Sequence, residues 1–190
     1  MTRPANKKDN FGIQIDAEQM KDKLMRMPPK FNPDESKYLV KTLVYNWRVY
    51  ITSTDLFVDD LNFLFGMGCF ETRTCIISSR RYQDRYNDMK SPKFFRNLSQ
   101  TIVHEMGHNL VLEHCKTYEC MMNGRNTIEE AEQDPPDFCP RCLSKLIHLR
   151  REGMTFNLQE RYKTMISILN KYGLNEDAEC LKGMGERHTI

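Results

Sequence analysis

The string His104-Glu105-Met106-Gly107-His108 constrains this chain more than any other stretch of it. Four residues turn a helix by about 400°, so the two rings leave one face about 6 Å apart along the axis. At that spacing two imidazoles converge on one ion, and zinc takes such nitrogen ligands readily. Glu105, beside the first ligand, is placed to accept a proton from a metal-activated water. The chain must therefore deliver a helix here, and its start signals agree. Ser91 is a capping residue, and Pro92 follows at the first helical position. Phe94, Phe95, Leu98, Ile102 and Met106 form one apolar face that carries the predicted helix through His108.

Three protein ligands and one open position make a catalytic zinc site. His114 is the next histidine, six residues past His108. On a continued helix it would lie about 9 Å further along the axis and rotated away. It reaches the same ion only if the helix ends and the chain doubles back.

Seven cysteines are the second constraint. The start, from Met1 to Asn10, lacks the apolar stretch of a secretory signal, and no run approaches the roughly 20 apolar residues that span a bilayer. The expectation is a cytoplasmic protein, with the nucleus as the alternative, neither secreted nor bound to membrane. In such a reducing compartment a disulfide framework is not expected, and an odd count fits one poorly. Cys115, Cys120, Cys139 and Cys142 crowd into 28 residues directly after the histidines. As two thiolate pairs they can enclose one Zn²⁺ tetrahedrally with no open position, a structural site. Cys69, Cys75 and Cys180 lie apart and are expected as buried thiols.

The rest of the chain supplies a frame for these groups. Apolar residues make up 39% and charged residues 28%, a folded composition, and at a formal charge of +2 nucleic acid is not expected as a partner. Helices are predicted from Asp16 to about Met27 and from near Pro33, with strands at 48–53, 62–66 and 74–78 and a turn at Gly66–Cys69. Residues 123–137 read as loop, and the chain from Arg141 onward as helix, with core contacts up to Gly173. This is an α+β arrangement: residues 1–15 as a flexible N-terminus and 16–190 as a single domain, a mixed sheet followed by helices.

The combined pattern resembles the archaemetzincins, a family of metzincin-clan zinc metallopeptidases. The string His104-Glu105-x-x-His108-x5-His114-Cys115-x4-Cys120-Met121-Met122 is followed by sixteen residues and Cys139-x-x-Cys142. The runs Thr54–Phe57, Leu61–Gly66 and Ile76–Arg81 are similar to the family's strand region, so the resemblance spans roughly residues 48–145. It implies a zincin-like fold, a mixed twisted sheet packed on an active-site helix with a helical C-terminal part. It also implies His104, His108 and His114 as ligands of a catalytic zinc, Glu105 as general base, and the four cysteines as holders of a second, structural zinc. Met122 becomes the methionine beneath the site, although composition alone would place it in the core. Residues 74–79 become a candidate edge strand for an extended substrate.

The chain departs from the family at two points. The spacer is sixteen residues rather than seventeen, which a loop absorbs easily. The position three after His108, usually glycine, is Val111. A β-branched residue there either suffers the penalty of a positive φ or avoids that conformation. The leading expectation is hydrolysis of a peptide or protein substrate, with Tyr118 as a candidate polar helper. One alternative is a catalytically impaired zinc-binding scaffold, prompted by Val111. Another is a nucleic-acid-associated zinc protein, prompted by Arg80-Arg81 and the basic stretch from Lys90 to Arg96.

Overall fold

The computed structural model describes residues 2–3, 14–16, 48–59, 61–149 and 156–187. Two sheets and six helices are present among them. Strands β1 (Thr2–Arg3), β2 (Gln14–Asp16), β4 (Asp55–Val58) and β5 (Leu61–Leu64) form one sheet in the order β1-β2-β4-β5. Strands β3 (Arg48–Thr52), β7 (Thr74–Ser78) and β6 (Gly66–Cys69) form the other, in the order β3-β7-β6. β3 runs parallel to β7, and β6 runs antiparallel to it.

β7 is buried along its whole length, as its run of Thr-Cys-Ile-Ile-Ser between two partners requires. The candidate edge at 74–79 is therefore corrected. β7 is the central strand, and β3 and β6 are the edges among the described residues, β6 forming where a turn is expected. One continuous stretch of chain serves both sheets: Leu64 pairs with Leu56, Phe65 accepts a hydrogen bond from Ser78 N at 2.8 Å, and Gly66 pairs with Ile77.

Helix α1 (Arg80–Tyr86) leads to α2 (Pro92–Asn109), which starts where the sequence predicts. The Ser91 side chain accepts from Phe94 N at 3.2 Å, satisfying one orphan donor of the first turn. α2 packs on β6 and β7. α3 (Ile128–Gln133) breaks the expected loop and is closed by a capping box between Thr127 and Glu130. α4 (Pro140–His148), α5 (Leu158–Lys171) and α6 (Asn175–Arg187) complete the helical C-terminal part. Gly173, at φ +74°, turns the chain after α5, and α6 follows beyond the last expected core contact. Asp16 closes a strand; the remainder of the helix predicted from it and the helix from Pro33 lie outside the described residues.

Three apolar clusters hold the fold. Leu56 and Ile76 anchor one between the sheets, and Phe65, Tyr82 and Phe94 a second between β5, α1 and α2. The third contains Met122, Leu112, Phe138 and three of the paired cysteines, so it lies directly under the histidine region. Buried ion pairs tie outlying parts to these cores. Arg81 grips Asp55 at 2.8 and 3.0 Å, and Arg161 of α5 grips Asp137 beside the cysteines. Arg80 pairs with Asp84 and Arg96 with Asp177, so these members of the basic stretches are held in intramolecular ion pairs. No helix among the described residues is long and apolar enough to cross a membrane.

Candidate metal centres

The end of α2 turns the chain back as His114 requires. Leu112 N donates to Gly107 O at 3.0 Å and Val111 N to His108 O at 2.9 Å, the paired bonds of a Schellman motif. Its left-handed position is Val111, at φ 62°. The expected conflict is thus resolved in favour of the turn: valine adopts the glycine conformation, with its side chain exposed.

The three histidine rings form a nearly equilateral triangle, with centroids 4.8, 5.2 and 4.9 Å apart. One nitrogen from each lies within 4.8 Å of the others. The Nδ1 of His104 lies 2.8 Å from Met121 O, and that of His108 lies 2.8 Å from Leu112 O. A carbonyl only accepts, so both rings carry their proton on Nδ1 and point an Nε2 lone pair inward. Those two Nε2 atoms are 3.1 Å apart. Facing lone pairs repel unless a cation lies between them, and a tetrahedral ion at about 2.0–2.1 Å from each nitrogen sets this separation near 3.3 Å. The donor set fits a metal. Burial, followed by the positive charges of Arg125 and the other histidines, pushes His104 down to about 3, so its ring is already deprotonated at neutral pH. Burial lowers His114 as well. That ring lies against Gly124, where an added Cβ would stand 3.3 Å from Nδ1.

Glu105 is buried on the same helix. Burial pushes its carboxyl up to about 7, with the Gly68 N–H and Arg125 pulling the other way. The close approach of β6 depends on its glycines. A Cβ on Gly68 would stand 2.5 Å from Glu105 O, and one on Gly66 would stand 2.8 Å from Glu105 Cγ. Alternation along the strand turns both glycines toward α2, so the edge strand lies directly on Glu105. On the other side of α2, Met122 is fully buried against Gly107, where a Cβ would meet its sulfur at 2.4 Å.

The four cysteines also converge. Their sulfurs lie within 4.8 Å of one another, and Cys115 and Cys139 are 3.9 Å apart. Zn–S bonds of about 2.3 Å put tetrahedral sulfurs about 3.8 Å apart, so this donor set fits an ion too. Cys120 Sγ accepts from Cys139 N at 3.2 Å, and Cys139 caps α4 ahead of Pro140. Burial pushes Cys120 up to about 11 and raises Cys142 strongly. Burial also acts on Cys115, but backbone donors at Thr117 and Tyr118 outweigh it and hold that thiol at about 7. Of the other three cysteines, Cys69 and Cys75 are buried as expected and Cys180 is exposed. Tyr118 is exposed at 55% and lines no part of the cleft, which corrects its candidacy as a helper.

A cleft of about 470 Å³ joins Glu105 and the three histidines to β6, Phe63, Phe65 and Arg125. Sequence reading passes over Arg125, an arginine in a polar loop. It also takes Gly66 and Gly68 for a turn, although their spacing of two is the signature of a strand face with no side chains.

Residues 5–148 match the family described as Peptidase family M54. Archaemetzincin-2 of Mus musculus is 31% identical over 166 residues, covering 73% of this chain and 45% of that protein. The archaemetzincin of Saccharolobus islandicus (strain L.S.2.15 / Lassen #1) is 30% identical over 108 residues, covering 56% of this chain and 58% of that one. This chain therefore spans about half the length of these curated relatives. Among solved structures, archaemetzincin from Methanopyrus kandleri superposes with a TM-score of 0.57 at 25% identity, covering 73% of this chain and 67% of that one. A zinc-dependent peptidase from Methanocorpusculum labreanum gives 0.52 at 21% identity, covering 68% and 71%, a likeness of fold. Sheet, helix and histidine turn together define a zincin-like α+β fold. Within that class, this chain belongs to Peptidase family M54, the archaemetzincins.

Proposed function

We propose that this chain is a zinc-dependent peptidase, with His104, His108 and His114 holding the catalytic ion and Glu105 acting as general base. The observation that carries this reading is one cleft in which three imidazole lone pairs and a buried carboxylate meet beneath an open strand edge. When bound, zinc supplies a Lewis acid that polarises the scissile carbonyl and makes water acidic enough to attack at neutral pH. Glu105, raised toward 7, suits a group that takes a proton from the attacking water and returns it to the leaving amine. The Gly68 backbone N–H favours the charged form of that carboxyl, against the effect of burial. β6, an edge strand among the described residues, offers backbone groups to an extended peptide laid across the cleft.

Cys115, Cys120, Cys139 and Cys142 hold a second, structural zinc in this reading, giving two ions per chain. Met122 is the packing base under the histidines. The scaffold alternative rests on Val111, and the formed turn at φ 62°, with His114 in the triangle, supports an intact third ligand instead. Cleavage of a peptide library by the zinc-loaded wild type and by Glu105→Ala tests the reading. We expect a loss of about 10²–10⁴-fold in the variant. Equal turnover by both, or none by the wild type, contradicts it.

A further inference from the structure

The cleft holds two formal charges besides its histidines, Glu105 and Arg125. Glu105 is accounted for by the chemistry proposed above, on which this inference rests. Arg125 is not. Its side chain is only 5% exposed, yet it borders the cleft. Its Nε donates to Asp134, and its Nη2 lies 3.3 Å from Met121 O and 3.6 Å from Met121 Sδ. Nη1 has no hydrogen-bond partner among the described residues. Met121 O is the same carbonyl that His104 Nδ1 meets. The guanidinium therefore stands one carbonyl away from the histidine triangle, on the wall of the same cleft.

Asp134 compensates much of the charge but occupies only the Nε face. A guanidinium carries five N–H donors in a planar fork, and the two on Nη1 remain for a ligand. Phe63 and Phe65 give the same cleft apolar walls, and Thr101 is neutral. In such surroundings a charged donor selects sharply, because a neutral isostere leaves it less well satisfied and a cation meets repulsion. We infer that Arg125 is a specificity-determining residue, selecting peptides that bring a carboxylate into the cleft beside the scissile bond. An aspartate or glutamate side chain and a free C-terminus present the same chemistry, and the experiment separates them.

Matched peptides carrying Glu, Gln or Lys at each position, with free or amidated C-termini, are offered to wild type, Arg125→Gln and Arg125→Glu. Wild type is expected to prefer Glu over Gln by about tenfold in kcat/KM, mainly through KM, as one charge-assisted hydrogen bond supplies. The ratio falls to about one in Arg125→Gln, and Lys-bearing peptides gain in Arg125→Glu. A preference that follows the free C-terminus instead identifies the terminal carboxylate as the source. Calorimetric binding of the Glu and Gln peptides to Glu105→Gln, alone and combined with Arg125→Gln, reads the same preference without turnover. Arg125→Lys keeps a cation and retains part of the preference, which separates charge from folding damage. A cleaving wild type that shows neither a preference for Glu over Gln nor one for a free over an amidated C-terminus, or a carboxylate preference left unchanged in a folded Arg125→Gln, overturns the inference. If wild type cleaves nothing while Glu105→Gln still binds the Glu peptide preferentially, only the peptidase reading fails.

Discussion

The Nδ1 of His104 and the carbonyl oxygen of Met121 are 2.8 Å apart, and this contact joins the two candidate metal centres. Met121 follows Cys120 of the cysteine cluster and precedes Met122, which packs under α2. Its N–H donates to Asp137 O at 3.0 Å, two residues before Cys139. The orientation of His104 thus depends on a turn whose ends are held by cysteines.

That dependence predicts coupling between the sites. Cys142→Ser, far from the histidines in sequence, is expected to weaken zinc binding at the histidine site by about tenfold or more, the usual effect of disturbing a ligand's hydrogen-bond partner. Zinc titration against a competing chelator measures it. An unchanged histidine-site affinity in a folded variant would show that the shared turn transmits nothing.

Val111 makes a second prediction. A valine at φ 62° carries steric strain that glycine lacks. Val111→Gly is expected to stabilise the protein by about 1 kcal/mol, part of the relief being returned through a more flexible unfolded chain. At this chain length that raises Tm by about 2–4 °C. Because the turn already forms, zinc content and turnover are expected to stay within about twofold. A large gain in turnover would revive the impaired-scaffold reading.

The glycine face of β6 predicts a third outcome. Gly68→Ala places a methyl 2.5 Å from the backbone oxygen of Glu105, a contact only movement of the strand or helix can relieve. A small misplacement of a reacting group costs rate steeply, so kcat/KM is expected to fall by about 10²-fold with zinc content preserved. Steady-state kinetics beside metal analysis separates this from simple loss of the ion.

Glu105 gives a pH signature in the chelator-treated, metal-free protein. Its folded value is raised from 4.5 to about 7 by burial, so the folded state holds a proton that the unfolded state releases between those values. The stability this contributes is complete below about pH 4.5 and is lost as pH rises through about 7. Glu105→Gln removes the loss. Its stability advantage over wild type, read from denaturant unfolding, is expected to be small at pH 5 and to grow toward pH 8, approaching on the order of 3 kcal/mol. A constant difference across that range would contradict the buried carboxyl.

The legible parts of this protein are those whose chemistry is local in sequence. Zinc ligands must follow helical spacing or tight turns, so His104, His108, the cysteine pairs and the capped start of α2 stand out from the chain itself. The proposed third ligand is less local, since nothing in His114 alone says that the helix stops at Asn109 and turns back through Val111. What escaped was set by distant partners. Gly66 and Gly68 form a strand because α2 leaves room for nothing larger, and that helix lies some forty residues on. Arg125 is buried because Asp134 and Met121 meet it. Read singly, both segments have the composition of a solvated turn. The same non-local logic made β7 central: its apolar run is buried by β3 on one side and β6 on the other.

We propose two metal centres, one open and one closed, built on a single turn. Native mass spectrometry of the zinc-reconstituted chain tests this most directly. A folded species carrying two zinc ions is expected, whereas a folded chain that takes up one ion or none contradicts a two-site protein.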